Sequence, residues 1–151
     1  MIVRPYEPSD LSALASIAEK AFGRAWTKEM LETDIANEQA HYLCAVSDDK
    51  VIGYIGYWQV LDEGHVMTVA VAEENRREGV GETLVREMIR SGGKRGILYW
   101  TLEVRVGNVS AVKLYEKAGF KLAGVRPRYY SDPCEDAGVY WLTSEEKRRI
   151  P

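Results

Sequence analysis

Residues 64 to 90, GHVMTVAVAEENRREGVGETLVREMIR, pass from a period of two to a period of 3.6 across a short loop holding Gly79 and Gly81. The β-branched run over 64–72 predicts a strand. The residues after it predict an amphipathic helix, with Val80, Leu84, Val85, Met88 and Ile89 on one face, Glu82, Arg86, Glu87 and Arg90 outside it, and Gly92 and Gly93 as its stop. A strand that feeds directly into a helix requires that helix to pack back on a sheet. The missing side chains at the junction let backbone approach a ligand, and the free amides of a helix start, aligned with its dipole, favour an anion. A phosphate-bearing ligand fits such a junction, whereas a plain tight turn with solvated arginines fits the glycines equally well. The common nucleotide fingerprints fail: one needs a third glycine where Leu84 stands, the other a glycine where Met88 stands before Gly93 and Lys94. ATP and NAD are therefore poor candidates.

The rest of the chain supplies a sheet for that helix. Residues 2–6 read as a strand, and Ser9 reads as the cap of a helix whose apolar face is Leu11, Leu14, Ala15, Ala18, Ala21 and Phe22. Thr27 caps a second helix with Met30, Leu31 and Ile35 on one side. YLCAVS and VIGYIGYWQV, joined by the turn residues DDK, predict an antiparallel hairpin, and the strand at 64–72 continues it as a meander. After the glycine-loop helix come the strand YWTLEVRV, then a helix with Ala111, Leu114, Tyr115 and Ala118 at helical spacing and Gly119 as its stop. Two last strands, FKLAGVRPRYY and AGVYWL, flank a loop SDPCED. The predicted order is β-α-α-β-β-β-α-β-α-β-β, an α+β fold with a mixed sheet and helices on both faces.

A chain of 151 residues fits a single domain, spanning 1–151. Its 46% hydrophobic and 28% charged residues are an ordinary soluble balance. The formal net charge of -3 argues against broad nucleic-acid binding and makes a basic substrate easier to attract than an acidic one. Cys44 and Cys134 form no CxxC pair, and with only His41 and His65 beside them no metal-ligand spacing arises, so no metal is expected. The N-terminus, with its arginine, acids and prolines, lacks the apolar core of a signal peptide, and no stretch approaches the ~18 apolar residues of a membrane span. The expectation is a cytoplasmic protein with no membrane partner.

VMTVAVAEENRREGVGETLV resembles the acetyl-coenzyme A motif of the GNAT N-acetyltransferases, in which an arginine or glutamine is followed by two residues, a glycine, one residue, and a glycine or alanine; Arg76, Gly79 and Gly81 match it. The resemblance implies the GNAT fold, a mostly antiparallel mixed sheet of about six to seven strands. It also implies backbone contacts from Val69, Ala70 and Val71 to the thioester and pantetheine, with Arg77, Glu78, Gly79, Val80, Gly81 and Glu82 at the pyrophosphate. Beyond the superfamily, TLEVRVGNVSAVKLYEKAGFKLAGVRPRYY followed by EDA, together with AWT at 25–27, resembles the RimI group, whose members acetylate the N-terminal alanine of a small-subunit ribosomal protein. That resemblance covers nearly the whole chain. It implies as partner the N-terminal peptide of a basic, ribosomal protein, and the chain itself is expected to be a monomer or weak dimer.

Acetyl transfer from a thioester to an amine needs an uncharged nucleophile, a donor at the developing oxyanion and a proton for the leaving thiolate. A protein α-amino group ordinarily titrates at about pH 7.7–8.0 and a lysine at about 10.4, so an N-terminus asks less of a base. Glu103, in the middle of TLEVR, is the candidate base, directly or through water. Strand alternation puts Tyr99, Thr101, Glu103 and Arg105 on one face and Trp100, Leu102 and Val104 on the other, which by itself also describes a strand with one wet side. A strand between two helices should be central with both faces covered, and a carboxylate there needs a partner or a purpose. By resemblance Tyr115 is the acid, although an aromatic on a helix's apolar stripe also reads as core. Asn108 reads as the cap of that helix, and by resemblance it also contacts the coenzyme. The loop 129–136 is expected over the amine groove, with Glu135 and Asp136 attracting a positive N-terminus and Tyr129 and Tyr130 holding its backbone; a solvated loop is the alternative. The competing functional readings are a GNAT enzyme for a small amine (polyamine, amino acid or antibiotic) and an acyl-coenzyme A binding module without turnover.

Overall fold

The computed structural model describes residues 1–143, so the last part of the expected domain, 144–151, lies outside the described residues. The elements are β1 (Ile2–Pro5), α1 (Leu11–Phe22), α2 (Lys28–Ile35), β2 (Ala40–Ser47), β3 (Lys50–Val60), β4 (Glu63–Val71), α3 (Val80–Lys94), β5 (Tyr99–Arg105), α4 (Val109–Lys117), β6 (Lys121–Ser131) and β7 (Cys134–Thr143), in the order the periodicities predict. They form a seven-stranded sheet ordered β1-β2-β3-β4-β5-β7-β6. All neighbours run antiparallel except β4 and β5, the pair that the α3 crossover joins.

Each face of the sheet has its own core. On one face α3 and α4 bury Val80, Leu84, Val85, Met88 and Tyr115 against Ile55, Tyr57, Trp100, Leu102 and Val104. On the other, α1 and α2 bury Leu14, Ile17, Ala18 and Leu31 against Tyr42, Cys44, Tyr54 and Ala70. The central strands β2 and β3 are consequently buried on both faces, which explains their continuous apolar runs. The β2–β3 turn carries Asp48 and Asp49 at φ of 51° and 60°, the paired left-handed geometry of a tight hairpin.

Three local expectations are corrected. Ser9 does not cap α1; a 3-10 turn, Pro8–Asp10, precedes the helix, and the Asp10 carboxylate accepts the Glu7 N–H at 2.8 Å while taking a fork of two bonds from Arg4 at 2.7 and 2.9 Å. Gly92 and Gly93 do not end α3, which continues to Lys94. A Cβ at Gly92 would strike the Trp100 indole, as would one at Gly64 on β4, so the two glycines make room for that buried ring. The third correction concerns SDPCED, which is no loop: β6 runs to Ser131 and β7 begins at Cys134, leaving Asp132–Pro133 as the turn of a hairpin. β6 is an outer strand, exposed along almost its whole length, with irregular pairing between Arg126 and Tyr130.

Candidate active site

The site forms where the sheet opens. β4 and β5 pair in register only at Glu63–Tyr99, Gly64–Trp100 and His65–Thr101, while β4 stays paired with β3 as far as Val71. On its β3 side β4 has one residue too many: Gly56 faces Thr68 and Tyr57 faces Val66, which leaves Met67 as a bulge. Bulges bend and twist a strand, and this one lies just beyond the last residue of β4 that pairs with β5. Beyond it lies a cleft of about 460 Å³, lined by Met67, Thr68 and Val69 of β4, by Leu102 to Arg105 of β5, by Asn108 and Tyr115 around α4, by Tyr130, Asp132 and Pro133 of the last hairpin, and by Phe22 and Trp26 beside α1.

The alternation of β4 decides what its edge offers. The Ala72 N–H donates to the Ile52 carbonyl of β3, so by strand geometry the Ala70 amide also points to β3 while those of Val69 and Val71 point to the opposite edge, toward β5. The Val71 carbonyl accepts from Arg76 Nε at 3.4 Å, as that orientation requires. Of the three expected backbone donors, Val69 and Val71 therefore face the open side, and Ala70 belongs to the ladder.

After β4 the chain turns through Glu73–Asn75 into the glycine loop. Arg77 and Gly79 sit at φ of 65° and 80°, and among the described residues no side chain caps the N-terminus of α3. A Cβ at Gly79 would meet nothing within 4 Å, whereas one at Gly81 would press on Leu114 at 3.3 Å. Gly79 thus serves the turn, and Gly81 lets α3 approach α4. The first turn of the helix leaves amides without side-chain partners, an arrangement suited to a phosphate. Glu82 lies in the same turn and would oppose an anion, but Lys117 binds it at 3.0 Å and Arg86 pairs with it from the next turn. The Lys117 bond holds the Glu82 carboxyl below the usual carboxylate range.

Glu103 and Tyr115 reach the cleft from opposite faces of the sheet. Trp100, Leu102 and Val104 point to α3 and α4, and Glu103 points the other way. The expectation that both faces of β5 are covered is corrected in part: β5 is central, yet Tyr99 on the Glu103 face is 39% exposed. Glu103 is sheltered by side chains, with 13% of its own exposed. Its Oε1 lies 2.8 Å from His65 Nε2, and its Oε2 lies 3.7 Å from Arg126 Nε. Tyr115 is 5% exposed and packs edge-on against Phe120. Among the described residues no buried side-chain N or O atom lacks a partner, and no hydrogen bond engages the Tyr115 hydroxyl, which leaves it accessible in the cleft. Burial pushes its ionisation well above the ordinary phenol range, so it stays a proton donor at neutral pH. The two side chains share one cavity because the strands between them have parted.

Other expected positions have different surroundings. Asn108 caps α4, accepting the Ala111 N–H at 3.2 Å. Tyr130 lines the cleft, and burial raises it to about 12; Tyr129 is exposed beside it. Glu135 accepts the Gly107 N–H at 2.7 Å and pairs with Arg105 at 3.3 Å, and Asp136 accepts the Arg128 N–H at 2.9 Å. Both acids are engaged by the chain itself. Cys44 is buried beside Asp10, and burial pushes its thiol up to about 12. Among the described residues no group of three or more His, Cys, Asp or Glu side chains is arranged to hold a metal ion. His65 and Arg126 are the neighbours of Glu103 that the sequence did not single out; finding them needs the β4–β5 register and the reach of Arg126 across β7.

Comparison with known proteins places the chain in a family. Residues 11–120 match the Acetyltransferase (GNAT) family. A Bacillus subtilis (strain 168) protein, provisionally named ribosomal protein bS18-alanine N-acetyltransferase, is 34% identical over 95% of this chain and 96% of its own. The ribosomal protein bS18-alanine N-acetyltransferase of Escherichia coli (strain K12) is 33% identical over 90% of this chain and 93% of its own. Among solved structures, the ribosomal-protein-S18-alanine N-acetyltransferase from Escherichia coli superposes with a TM-score of 0.86 at 30% identity, covering 94% of this chain and 92% of that one. By the matched domain and by these relatives, the chain belongs to the GNAT acetyltransferase family.

Proposed function

We propose that this chain is a cytoplasmic peptide α-N-acetyltransferase that moves acetyl from acetyl-coenzyme A to the N-terminal alanine of a small-subunit ribosomal protein of the bS18 kind. The observation that carries the reading is the parted β4–β5 seam, where the Glu103 carboxylate and the Tyr115 hydroxyl line one cleft beside an uncapped helix start. The bS18-directed names of two relatives, each about a third identical over at least nine-tenths of this chain, support the substrate class.

In this reading the outward amides of Val69 and Val71 hold the pantetheine arm, the Arg76 side chain braces the Val71 carbonyl beside the coenzyme, and the amides from Arg77 to Glu82 hold the pyrophosphate. Asn108 adds a coenzyme contact to its capping role. The substrate amine gives a proton to Glu103, directly or through water, and its lone pair attacks the thioester carbonyl carbon. The tetrahedral intermediate collapses, the carbon–sulfur bond breaks, Tyr115 protonates the departing thiolate, and the surplus proton on the new amide nitrogen is lost as the phenolate is reprotonated. Acetyl passes directly within a ternary complex. His65 and Arg126 orient the carboxylate, and Tyr129, Tyr130, Glu135 and Asp136 belong to the substrate side. The enzyme works without a metal, as a monomer or weak dimer.

Mass analysis of products tests the reading, with acetyl-coenzyme A and three separate amines: an alanine-initiated basic peptide, the same peptide N-terminally blocked, and spermidine. The expected product is the first peptide carrying one acetyl group. Acetylation confined to the blocked peptide or to spermidine would overturn the substrate assignment, and acetyl-coenzyme A binding without any product would leave a binding module.

A further inference from the structure

The turn between β6 and β7 forms one wall of the cleft, through Tyr130, Asp132 and Pro133. A hairpin tip at the surface is ordinarily a mobile element. This one is tied down from β5 by Arg105, which stands on the same face as Glu103, two residues along. Its Nη1 donates to the Pro133 carbonyl at 2.8 Å, its Nη2 to the Asp132 carbonyl at 3.3 Å, and Nη1 also meets Glu135 Oε1 at 3.3 Å. The same guanidinium lies 4.3 Å from the centre of the Tyr130 ring. The second oxygen of Glu135 accepts the Gly107 N–H at 2.7 Å, and a Cβ at Gly107 would lie 2.6 Å from that oxygen, so the glycine allows the contact. The Val106 N–H donates to the Asp136 carbonyl at 3.2 Å and closes the set.

From these contacts we infer that Arg105 is a positioning residue for peptide recognition, fixing the Tyr130–Pro133 wall against the strand that carries Glu103, with Glu135 as its anchor. The inference rests on the peptide reading above and reassigns Glu135, whose carboxylate acts on the enzyme's own chain. A planar fork reaching two carbonyls, a carboxylate and an aromatic face is a task for arginine, which lysine does not reproduce. The wall then binds the peptide backbone beside the amine, while the coenzyme side is untouched.

Steady-state kinetics with the alanine-initiated peptide and acetyl-coenzyme A, paired with amide hydrogen exchange, test the assignment. Arg105→Gln and Arg105→Lys should each raise the peptide KM roughly ten- to hundredfold, the scale of lost charge-assisted bonds. The KM for acetyl-coenzyme A should stay within about twofold and kcat should change much less than the peptide KM. Glu135→Gln, a milder change, should give a smaller rise in the same parameter. Exchange should quicken over 128–136 in all three variants and stay constant in α3. An unchanged peptide KM, a fall in kcat alone, or equal rises in both KM values would overturn the assignment. If the wild-type chain does not acetylate the peptide, the substrate reading falls, and exchange at the tip still decides the lock: unaltered exchange there in Arg105→Gln sinks it.

Discussion

The two edges of β4 are built for opposite purposes. Toward β3 the strand stays paired to Val71. Toward β5 it keeps three registered pairs and then parts, leaving the amides of Val69 and Val71 without a strand partner among the described residues. One edge spends its backbone groups on the ladder, and the other leaves them free for the pantetheine arm of the proposed mechanism. A carboxylate and a phenol from opposite faces of a continuous sheet would never share a cavity. Substitutions on the open edge should therefore remove turnover at little cost in stability, and substitutions on the closed part should do the reverse.

The sharpest break of that contrast lies at the open edge. Glu103→Gln and Tyr115→Phe should each lower kcat by roughly 10² to 10⁴-fold, the range of a general base or acid, with melting temperatures close to wild type. Unchanged turnover in both would remove the mechanism. At the closed end of the seam, Gly64→Ala puts a methyl group into the Trp100 indole and should cost about 1–3 kcal/mol, read as a lower denaturant midpoint. A neutral result there would mean that the paired end of the seam adapts more freely than its packing suggests.

Away from the seam, the Arg4 fork holds the Asp10 carboxyl below the usual carboxylate range. Because the folded value lies below the unfolded one, the stabilisation is present above about pH 4 and is lost as pH falls through the folded value. Asp10→Asn should cost about 1–3 kcal/mol at neutral pH and flatten the acid limb of a stability-against-pH curve, with turnover per folded molecule unchanged. The smallest effect belongs to Asn108→Ala. Losing the cap should cost about 1 kcal/mol, and a rise in the KM for acetyl-coenzyme A beyond that of a Val109 control substitution would mark the coenzyme contact as a second role.

Local patterns made most of the fold legible. The element order follows from periodicity, the Asp48–Asp49 turn and the Gly119 stop from backbone chemistry, and the buried face of β5 from strict alternation. Gly92 misled because a helix stop and a helix glycine under an indole look alike until Trp100 is known to lie above it. SDPCED misled because turn-forming residues at its centre hid the strand pairing at its ends, where Ser131 faces Cys134 and Tyr130 faces Glu135. Candidate site residues were legible in so far as a motif carried them. Contacts made across strands, from His65 and Arg126 to Glu103 and from Arg105 to the hairpin tip, depend on registers that no local pattern encodes.

The outer strand β6 carries one more consequence. A long, exposed edge offers a template on which another chain can add itself, the usual start of sheet-to-sheet aggregation. Here Pro127 lacks an amide hydrogen, Arg128 turns at a φ of 51°, and pairing with β7 breaks between Arg126 and Tyr130. The opposite border, β1, is four residues long. The irregular stretch that carries Arg126 toward Glu103 thus also serves colloidal stability: straightening β6 to tidy the sheet would hand a concentrated solution of this protein a surface on which to polymerise.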